Sequence, residues 1–387
     1  MRNGQSNTER WIKSAGTAFP GHQVVWMHCS SLGEFEQGRP ILENLRKVNP
    51  KVKIALSFFS PSGYEIRKNW EGADKIFYLP ADTFHNARRL NKKLNPDIFI
   101  LVKYDFWWNL LREFQKKDVP VFLTAALYNP GKYYFYQPFL RIIQSWRMIF
   151  TLRPWYAEGF KKEGILKVKS SGDPRVDRVI TIKENGVNLP AELKIFFQGK
   201  KNVIIYGSVW PEDIPYLKDC MTLYPGWTHV IVPHDISVRN IQKISTLLPL
   251  EADLLSSGNV RKNLLIIDRV GWLNGLYIFA DIAYIGGGFG KGIHNTLEAA
   301  VHGIPVCFGP SHEAFPEATE LVALGAAFII TKPMMFTSIC ERFLLSHEEP
   351  AIVRQTLKEY FEKSKGATDI IVTQIQKQLL HGNKKPG

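Results

Sequence analysis

The sequence lacks any uninterrupted run of about 18 apolar residues, the length that a membrane-spanning helix needs. Its most apolar stretch, residues 98–108, is interrupted by Lys103 and Asp105. Residues 1–13 are polar and do not have the pattern of a secretion signal. We therefore expect no membrane-spanning segment within these 387 residues.

Cysteine is also scarce, and none of the four cysteines forms a Cys-x-x-Cys pair or a zinc-ligand spacing. Cys29 and Cys307 lie in apolar stretches, which favours buried thiols in a reducing compartment. The phosphate-binding pattern GxxxxGK[ST] is absent, which argues against ATP hydrolysis. Helix-turn-helix and RNA-recognition signatures are absent as well. The sequence thus predicts no metal site, no cofactor and no nucleic-acid partner.

Positive charge is abundant, with a net charge of +13 and an isoelectric point near 9.4. Such a field favours polyanions, namely nucleic acid, an anionic membrane or a phosphorylated substrate. Aromatic residues reach 12%, and Trp11, Trp146 and residues 133–136 lie beside lysines or arginines. Rings mixed with cations suit a membrane headgroup interface, although an ordinary basic surface is the simpler alternative.

The length and the alternation of apolar runs with helical stretches predict two α/β domains with doubly wound parallel sheets. We place an N-terminal domain at residues 1–180 and a C-terminal domain at 181–365. Residues 366–387 form a helix and a basic tail that could return to the N-terminal domain. A further helix is predicted at 82–94, capped by Asp82. The predicted strands are 24–29, 51–58, 75–78, 97–102, 121–125, 202–206, 229–232, 264–267, 282–285, 306–308 and 327–329.

Ligands of such sheets bind beyond the carboxyl ends of the strands, where this sequence places several polar side chains. Glu34 begins a helix after the first strand and could act as a general base, or could serve only the helix dipole. Lys103 and Asp105 follow another strand, as site residues or as a structural pair. Arg175 could hold a carboxylate or phosphate, or could pair with Asp177 on the surface.

The second half carries a glycine-rich loop within residues 286–300, and a helix is expected to begin near Asn295. We expect the glycines to expose backbone amides to a phosphate, and Glu298 to accept hydrogen bonds from a ribose. A merely flexible loop is the alternative. Ser208 offers a hydroxyl beside Gly207, or caps a helix. His234 could contact a base or a phosphate, although a lone histidine is more often structural.

Residues 30–34, 172–177, 207–212 and 286–298, in this order, resemble the 3-deoxy-D-manno-octulosonic acid (Kdo) transferases. The resemblance implies a GT-B fold, with two Rossmann-like domains facing a central cleft. It also implies inverting, metal-independent transfer of Kdo from CMP-Kdo to a lipid A precursor, lipid IVA, in lipopolysaccharide synthesis.

The family's functional residues transfer to matching positions of this sequence. Glu34 corresponds to the general base, and Asp105 and Arg175 correspond to positions thought to stabilise the transition state. The acceptor-binding positions are Ser31, Gly33 and Lys103. The CMP-Kdo-binding positions are Ser208, Pro233, His234, Gly271, Trp272, Leu273, Gly287, Gly288, Asn295, Thr296, Leu297 and Glu298.

The sequence departs from the family in two places. Many relatives have a Glu-Thr-Glu-Leu-Trp run at residues 103–107, where Lys103 replaces the first acid. The usual apolar anchor helix is absent from this sequence, so we expect attachment to the cytoplasmic face of the inner membrane, either peripheral or through an anchor outside these residues.

Two other functions remain open from the sequence. One is another GT-B enzyme that uses a UDP-sugar, either a transferase or a 2-epimerase. The other is a catalytically inactive lipopolysaccharide-binding protein.

Overall fold

The computed structural model describes residues 2–103, 105–132, 137–258, 260–290, 292–346 and 348–382. The chain divides into two compact units. Unit 1 comprises Met1–Arg178 and Ser364–Gly387, and unit 2 comprises Val179–Lys363. Residues 133–136 of the predicted aromatic and basic segment, together with Tyr104 and Lys291 of the predicted site motifs, lie outside the described residues.

Unit 1 is built on seven parallel strands in the order β3-β2-β1-β4-β5-β6-β7. The strands are β1 Val24–Cys29, β2 Lys53–Phe58, β3 Lys75–Tyr78, β4 Ile98–Val102, β5 Val121–Ala126, β6 Met148–Thr151 and β7 Val168–Ser170. The helices are α1 Arg2–Lys13, α2 Leu32–Val48, α3 Pro61–Arg67, α4 Phe84–Leu94, α5 Trp108–Lys116, α6 Phe139–Ser145, α7 Pro154–Lys162 and, near the end of the chain, α17 Ala367–Gly382.

The apolar strands of this sheet contribute side chains to two hydrophobic cores, one on each face of the sheet. Side chains alternate along a strand, so Trp26 joins the core with Phe99 and Phe114, whereas Met27 joins the opposite core with Ile100. Every residue of β1 is buried, which is what a strand covered by helices on both faces requires.

The last helix, α17, completes unit 1 although it is far away in sequence. It packs against α2, and Ile371 and Ile375 are fully buried in the core beneath them. The Asp177 carboxylate accepts hydrogen bonds from the backbone N–H groups of Gly366 (2.6 Å) and Thr368 (2.7 Å). These contacts satisfy donors at the start of α17.

Unit 2 is built on seven parallel strands in the order β10-β11-β9-β8-β12-β13-β14. The strands are β8 Val203–Val209, β9 Thr228–Pro233, β10 Asp253–Leu254, β11 Leu264–Ile266, β12 Ile282–Ile285, β13 Val306–Phe308 and β14 Ala327–Ile329. The helices are α9 Ala191–Phe197, α10 Lys218–Leu223, α11 Val238–Leu247, α12 Leu273–Leu276, α13 Leu297–Ala300, α14 Pro316–Ala323 and α15 Pro333–Leu344. Helices α8 Pro174–Asn185 and α16 Glu348–Ser364 cross the unit boundaries.

The structure corrects three expectations about local elements. Strands β6, β7 and β10 were not predicted. Thr83, not Asp82, caps α4 by accepting a hydrogen bond from the Asn86 N–H, whereas the Asp82 carboxylate accepts from backbone N–H groups at the start of α5. The helix expected near Asn295 is the single turn α13.

None of the helices in the described ranges combines the length and the apolarity that crossing a bilayer requires.

The buried Lys93 side chain fastens the end of α1 to unit 1. Its ammonium group donates to Ser14 Oγ (2.8 Å) and to the carbonyl oxygens of Ser14, Ala15 and Gly16 (3.1–3.2 Å). Lys93 is 6% exposed, so its replacement leaves these acceptors without a donor in a site that water reaches poorly.

We expect Lys93→Met to lower the free energy of unfolding of unit 1 by about 1–3 kcal/mol and to speed amide exchange in residues 2–13. The neighbouring Lys92 is exposed and is the matched control, since Lys92→Met removes the same charge. Urea unfolding and hydrogen-exchange mass spectrometry measure both effects. Equal changes in the two variants would contradict this role of Lys93.

Candidate functional site

The carboxyl group of Glu34 lies at the start of α2, directly after the central strand β1. Ser31 is the N-cap of α2, and its hydroxyl accepts a hydrogen bond from the Glu34 N–H (3.3 Å). The Glu34 carboxylate turns back and accepts a hydrogen bond from the Ser30 N–H. These two hydrogen bonds hold the carboxylate in one orientation at the carboxyl edge of the sheet.

The environment of Glu34 raises its pKa to about 7. Burial is the largest cause, since the residue is 8% exposed, and the negative charge of Asp105 adds to it. The Ser30 N–H and the positive charge of Lys103 act in the opposite direction. A carboxyl group with a pKa near neutral pH can both accept and release a proton, as general-base chemistry requires.

A buried polar chain supports this carboxylate from below. The Trp26 indole donates to Ser57 Oγ (2.8 Å), which lies 2.9 Å from His28 Nδ1, and His28 Nε2 lies 3.2 Å from Ser30 Oγ. Burial lowers the pKa of His28 to about 3, so the imidazole is neutral. The chain therefore positions Ser30, which in turn holds Glu34. His28 and Ser57 were not among the predicted site residues, although His28 lies two residues before Ser30 and offered a signal.

An aromatic edge borders the same site. Phe59 is 40% exposed and its ring centroid lies 5.1 Å from that of Trp107, which meets His28 edge to face at 5.3 Å. Within the sequence motif at the start of α2, Ser31 is half-buried and Gly33 is exposed. The predicted acceptor positions Ser31 and Gly33 thus lie within three residues of Glu34 in the sequence, and both are more exposed than Glu34.

Lys103 and Asp105 follow β4 at the same edge. Lys103 has a left-handed backbone (φ 67°), and its N–H donates to the Thr124 carbonyl (2.9 Å). Burial raises the pKa of Asp105, and the charge of Lys103 opposes this effect. Both side chains line a small apolar cavity with Trp146. The structure therefore brings Glu34, Lys103 and Asp105 into one electrostatic group.

Arg175 is fixed by Asp173 at the start of α8. Its guanidinium contacts the Asp173 carboxylate through Nη2 (2.6 Å) and Nε (3.1 Å), and its backbone N–H donates to the same carboxylate (3.0 Å). Burial alone would raise the pKa of Asp173, but the charge and hydrogen bonds of Arg175 lower it. Arg175 thus forms an ion pair with Asp173, and the Asp177 carboxylate binds the start of α17.

The glycines of the loop after β12 are required by close backbone contacts within unit 2. A Cβ atom on Gly286 would lie 2.3 Å from the Ser208 carbonyl oxygen, and one on Gly288 would lie 2.5 Å from the Gly309 nitrogen. Gly287 has φ 92°, and a Cβ there would lie 2.5 Å from the Gly292 oxygen. Substitution at these positions would force the strand ends apart.

A buried carboxylate, Asp213, holds this loop from inside. The residue is fully buried and accepts hydrogen bonds from the N–H groups of Trp210 (2.8 Å) and Gly287 (3.1 Å) and from the Tyr284 hydroxyl (2.9 Å). The expectation that Gly287 exposes its amide is therefore wrong, because that amide already binds an anion of the protein. Sequence analysis missed Asp213, although it adjoins the motif at residues 207–212.

Two backbone amides of the loop, one on buried Gly288 and one on half-buried Phe289, differ from that of Gly287. The N–H groups of Gly288 and Phe289 make no hydrogen bond to any residue that the structure describes. Phe289 stacks on Tyr216, with ring centroids 3.6 Å apart. An anion at this loop would therefore be met by the amides that follow Gly287.

Ser208 lies inside β8 and not at a helix start, so its expected capping role is wrong. A bulge between Gly207 and Val209 gives Ser208 a left-handed backbone (φ 54°) and carries the strand on to Val209. A Cβ on Gly207 would lie 3.1 Å from Leu273 Cδ1. The predicted segment of Gly271, Trp272 and Leu273 therefore lies beside this bulge.

Three rings form a stack next to the bulge. His234 follows Pro233 at the end of β9, and its ring lies between Trp210 (4.7 Å between centroids) and His294 (4.2 Å). The Trp210 indole donates to His294 Nε2 (3.2 Å). Burial and the charge of His234 lower the pKa of His294 to about 4, so this imidazole is neutral. The stack presents flat surfaces of the kind that a nucleobase prefers.

Hydrogen bonds join three of the four predicted residues 295–298 at the start of α13. The Asn295 amide donates to Glu298 Oε1 (3.0 Å), and Asn295 Oδ1 accepts from the Leu297 N–H (3.2 Å). Leu297 is fully buried, and the buried Thr296 hydroxyl has no partner among the described residues. Asn295 thus orients the Glu298 carboxylate.

Comparison with known proteins identifies sequence relatives across most of the chain. Residues 5–178 match the N-terminal family model of 3-deoxy-D-manno-octulosonic-acid transferase. The Kdo transferase of Aquifex aeolicus is 28% identical over 353 residues, covering 88% of this chain and 92% of that protein. That of Chlamydophila psittaci is 26% identical, covering 93% and 88%. These matches confirm the resemblance.

A bifunctional glycosyltransferase/methyltransferase of Fusobacterium nucleatum is 24% identical over 74% of the chain, which spans 47% of that relative. Among solved structures, UDP-GlcNAc 2-epimerase from Neisseria meningitidis superposes with a TM-score of 0.62 at 17% identity, covering 92% of this chain and all of that one. MurG from Acinetobacter baumannii has a TM-score of 0.58 at 11% identity, covering 92% and 99%. This likeness confirms the GT-B fold class.

Because Asp105 and Lys103 carry opposite charges, we predict that removing each one shifts the pKa of Glu34 in the opposite direction. We expect Asp105→Asn to lower the pKa of Glu34 by about one unit, because it removes a negative charge, and Lys103→Met to raise it by a similar amount. Carbon-13 NMR titration of the carboxyl group measures both shifts. Asp82→Asn is the control, since that carboxylate binds the start of α5. Shifts of the same sign in the first two variants would contradict the assignment.

Proposed function

We propose that this chain, a glycosyltransferase of the Kdo transferase family, moves Kdo from CMP-Kdo to a lipid A precursor in lipopolysaccharide synthesis. The observation that carries the proposal is the buried Glu34 carboxyl group, held by Ser30 and Ser31 within the family motif, with a pKa near 7. An acceptor such as lipid IVA offers a hydroxyl group to this base.

In the proposed reaction, Glu34 takes the proton of the acceptor hydroxyl as its oxygen attacks the anomeric carbon of Kdo. The new bond forms as the bond from that carbon to the CMP phosphate oxygen breaks, and the electron pair leaves with CMP. Attack from the side opposite CMP inverts the configuration at that carbon. The Glu34 pKa near 7 leaves much of the base ionised at neutral pH.

Arg175 and Asp105 would stabilise the transition state, and Lys103 would help to bind the acceptor. Asp173 holds the Arg175 guanidinium in a fixed direction, which lowers the cost of ordering it when charge develops on the substrates. Ser31 and Gly33 border the same carboxylate and would contact the acceptor sugar. The fixed positive charges make a metal ion unnecessary in this proposal.

Unit 2 would bind the donor. The ring stack of His234 with its neighbours offers flat surfaces to cytosine, and the free amides of Gly288 and Phe289 suit a phosphate. Glu298, oriented by Asn295, suits the ribose hydroxyls. The other predicted donor contacts are Ser208, Pro233, Gly271, Trp272, Leu273, Gly287, Thr296 and Leu297.

The acceptor is a lipid, so we propose that the protein works at the cytoplasmic face of the inner membrane. Attachment would be peripheral, through its basic surface, or through an anchor outside these residues. A UDP-sugar enzyme is the alternative, since a UDP-GlcNAc 2-epimerase shares the fold. The Kdo transferase relatives favour the first proposal. Stronger protection of unit 2 by CMP than by UDP in a thermal-shift measurement would support it, and the reverse would favour the alternative.

The first test is transfer itself. We expect the purified protein with CMP-Kdo and tetra-acylated lipid A precursor to form a Kdo-lipid and release CMP, with EDTA present. Glu34→Gln should slow the reaction about 10²–10⁴-fold, because the base is lost. Mass spectrometry of the lipid and a CMP-release assay measure the two products.

Glu36→Gln is the matched control, because Glu36 lies two residues away on α2 and pairs with Arg67 and Arg178. A loss of activity only in Glu34→Gln supports the proposed base. Binding of CMP without transfer would exclude this acceptor, and full activity of Glu34→Gln would exclude the base.

A second test concerns Asp213. Asn at this position presents an N–H₂ group toward backbone donors, so we expect Asp213→Asn to displace the Gly287 loop and weaken CMP binding at least about tenfold. The acceptor KM should stay unchanged. Tyr284→Phe, which removes one donor, should have a smaller effect, and Asp219→Asn is the control. Calorimetric titration with CMP measures all four proteins, and unchanged affinity in Asp213→Asn would contradict the role.

A further inference from the structure

A groove of about 530 Å³ lies between α4 and α5 of unit 1. We call it the basic groove and define it by its charged lining, His85, Arg88, Arg89, Lys92, Glu113 and Lys117. The arginines and lysines are exposed, whereas the only acid of the lining is buried. The groove therefore presents positive charge to its surroundings.

These cations have no anionic partner within the described part of the chain. No ion pair or hydrogen bond joins the side chains of Arg88, Arg89, Lys92 or Lys117 to a carboxylate there. Helix α4 carries four cations and no acid, and like charges four residues apart, such as Arg88 and Lys92, repel one another. An external polyanion would relieve this repulsion.

One exposed and one half-buried aromatic ring lie beside cations of α4 and α5. Phe84, the first residue of α4, is 47% exposed, and its ring lies 5.4 Å from Arg88 Cζ and 5.7 Å from Lys116 Nζ. Trp108 has the Arg112 guanidinium 5.8 Å from its ring. Rings with cations around them suit the boundary between lipid headgroups and acyl chains, where a ring enters the apolar side and cations meet phosphates.

We propose that the basic groove is a docking surface for the headgroups of an anionic phospholipid bilayer. The proposal names a surface for the membrane attachment that is part of the proposed function, but it does not depend on the sugar donor or on the reaction. Phosphates would enter the groove between α4 and α5, and Phe84 would insert beside them. Nucleic acid is the other polyanion that a basic groove attracts, and the test separates the two.

The test measures sedimentation of the full chain with vesicles of phosphatidylglycerol and phosphatidylcholine, at low and high salt. The groove variant is Arg88→Ser, Arg89→Ser and Lys92→Ser combined. The control variant is Lys47→Ser, Lys51→Ser and Lys162→Ser combined, which removes the same charge from exposed positions of unit 1. Circular dichroism melting verifies that both variants fold.

We expect wild type to bind anionic vesicles, weakly in high salt, and not to bind pure phosphatidylcholine. One cation near the surface is worth about fivefold in partitioning, so the groove variant should lose about 100-fold and the control much less. Phe84→Ser should also weaken binding, including in high salt, where the charges are screened.

Three results would overturn the proposal. Absence of vesicle binding by wild type is the first, and equal losses in the two triple variants are the second. The third is tighter binding of a single-stranded oligonucleotide that the groove variant alone loses. CMP binding and transfer to an acceptor solubilised in detergent are measured separately, and the groove variant should keep both. A failure of the docking surface is thereby distinguished from a failure of the proposed reaction.

Discussion

The carboxyl group of Glu34 is buried at the start of α2, and its neighbours must offset the cost of burying a charge there. Burying an ionised carboxylate is costly unless hydrogen bonds or charges offset the lost hydration. Here the Ser30 N–H, the N-terminal end of α2 and the charge of Lys103 each contribute. The neutral His28 below adds no charge and fixes the position of Ser30. The result is an acid whose two protonation states are close in free energy near neutral pH.

Unit 2 contains a second buried acid, Asp213, in a different environment. Burial raises the pKa of Asp213, as it does that of Glu34, but Asp213 accepts two backbone N–H groups and a tyrosine hydroxyl. These hydrogen bonds favour the ionised form against burial, and through them the carboxylate joins the end of β8 to the glycine-rich loop. Two buried carboxyl groups thus have different surroundings, because Asp213 accepts from three donors whereas Glu34 accepts from the Ser30 N–H and faces the negative charge of Asp105.

The sequence predicts the sheets well where strands are buried on both faces, because such strands appear as continuous apolar runs. Val24–Cys29 and Ile282–Ile285 were predicted with their observed bounds. The edge strand Val168–Ser170 was not predicted, because its central residue is an exposed lysine that interrupts the apolar pattern. The hydrogen-bond partner of the Gly287 N–H could not be predicted from neighbouring residues, because Asp213 is 74 residues away in the sequence. The predicted site residues rest on family resemblance, and the polar partners that position several of them are long-range contacts.

The lysine at position 103 has a consequence for how the acidity of Glu34 can be changed. Its charge pulls the protonation equilibrium of Glu34 toward the ionised form, whereas Asp105 pulls it the other way. An acid in place of Lys103 would reverse that contribution, and two acids beside Glu34 would favour its protonated form. Exchange of a single side chain at the end of β4 thus adjusts the acidity at which a shared scaffold operates, without moving the scaffold.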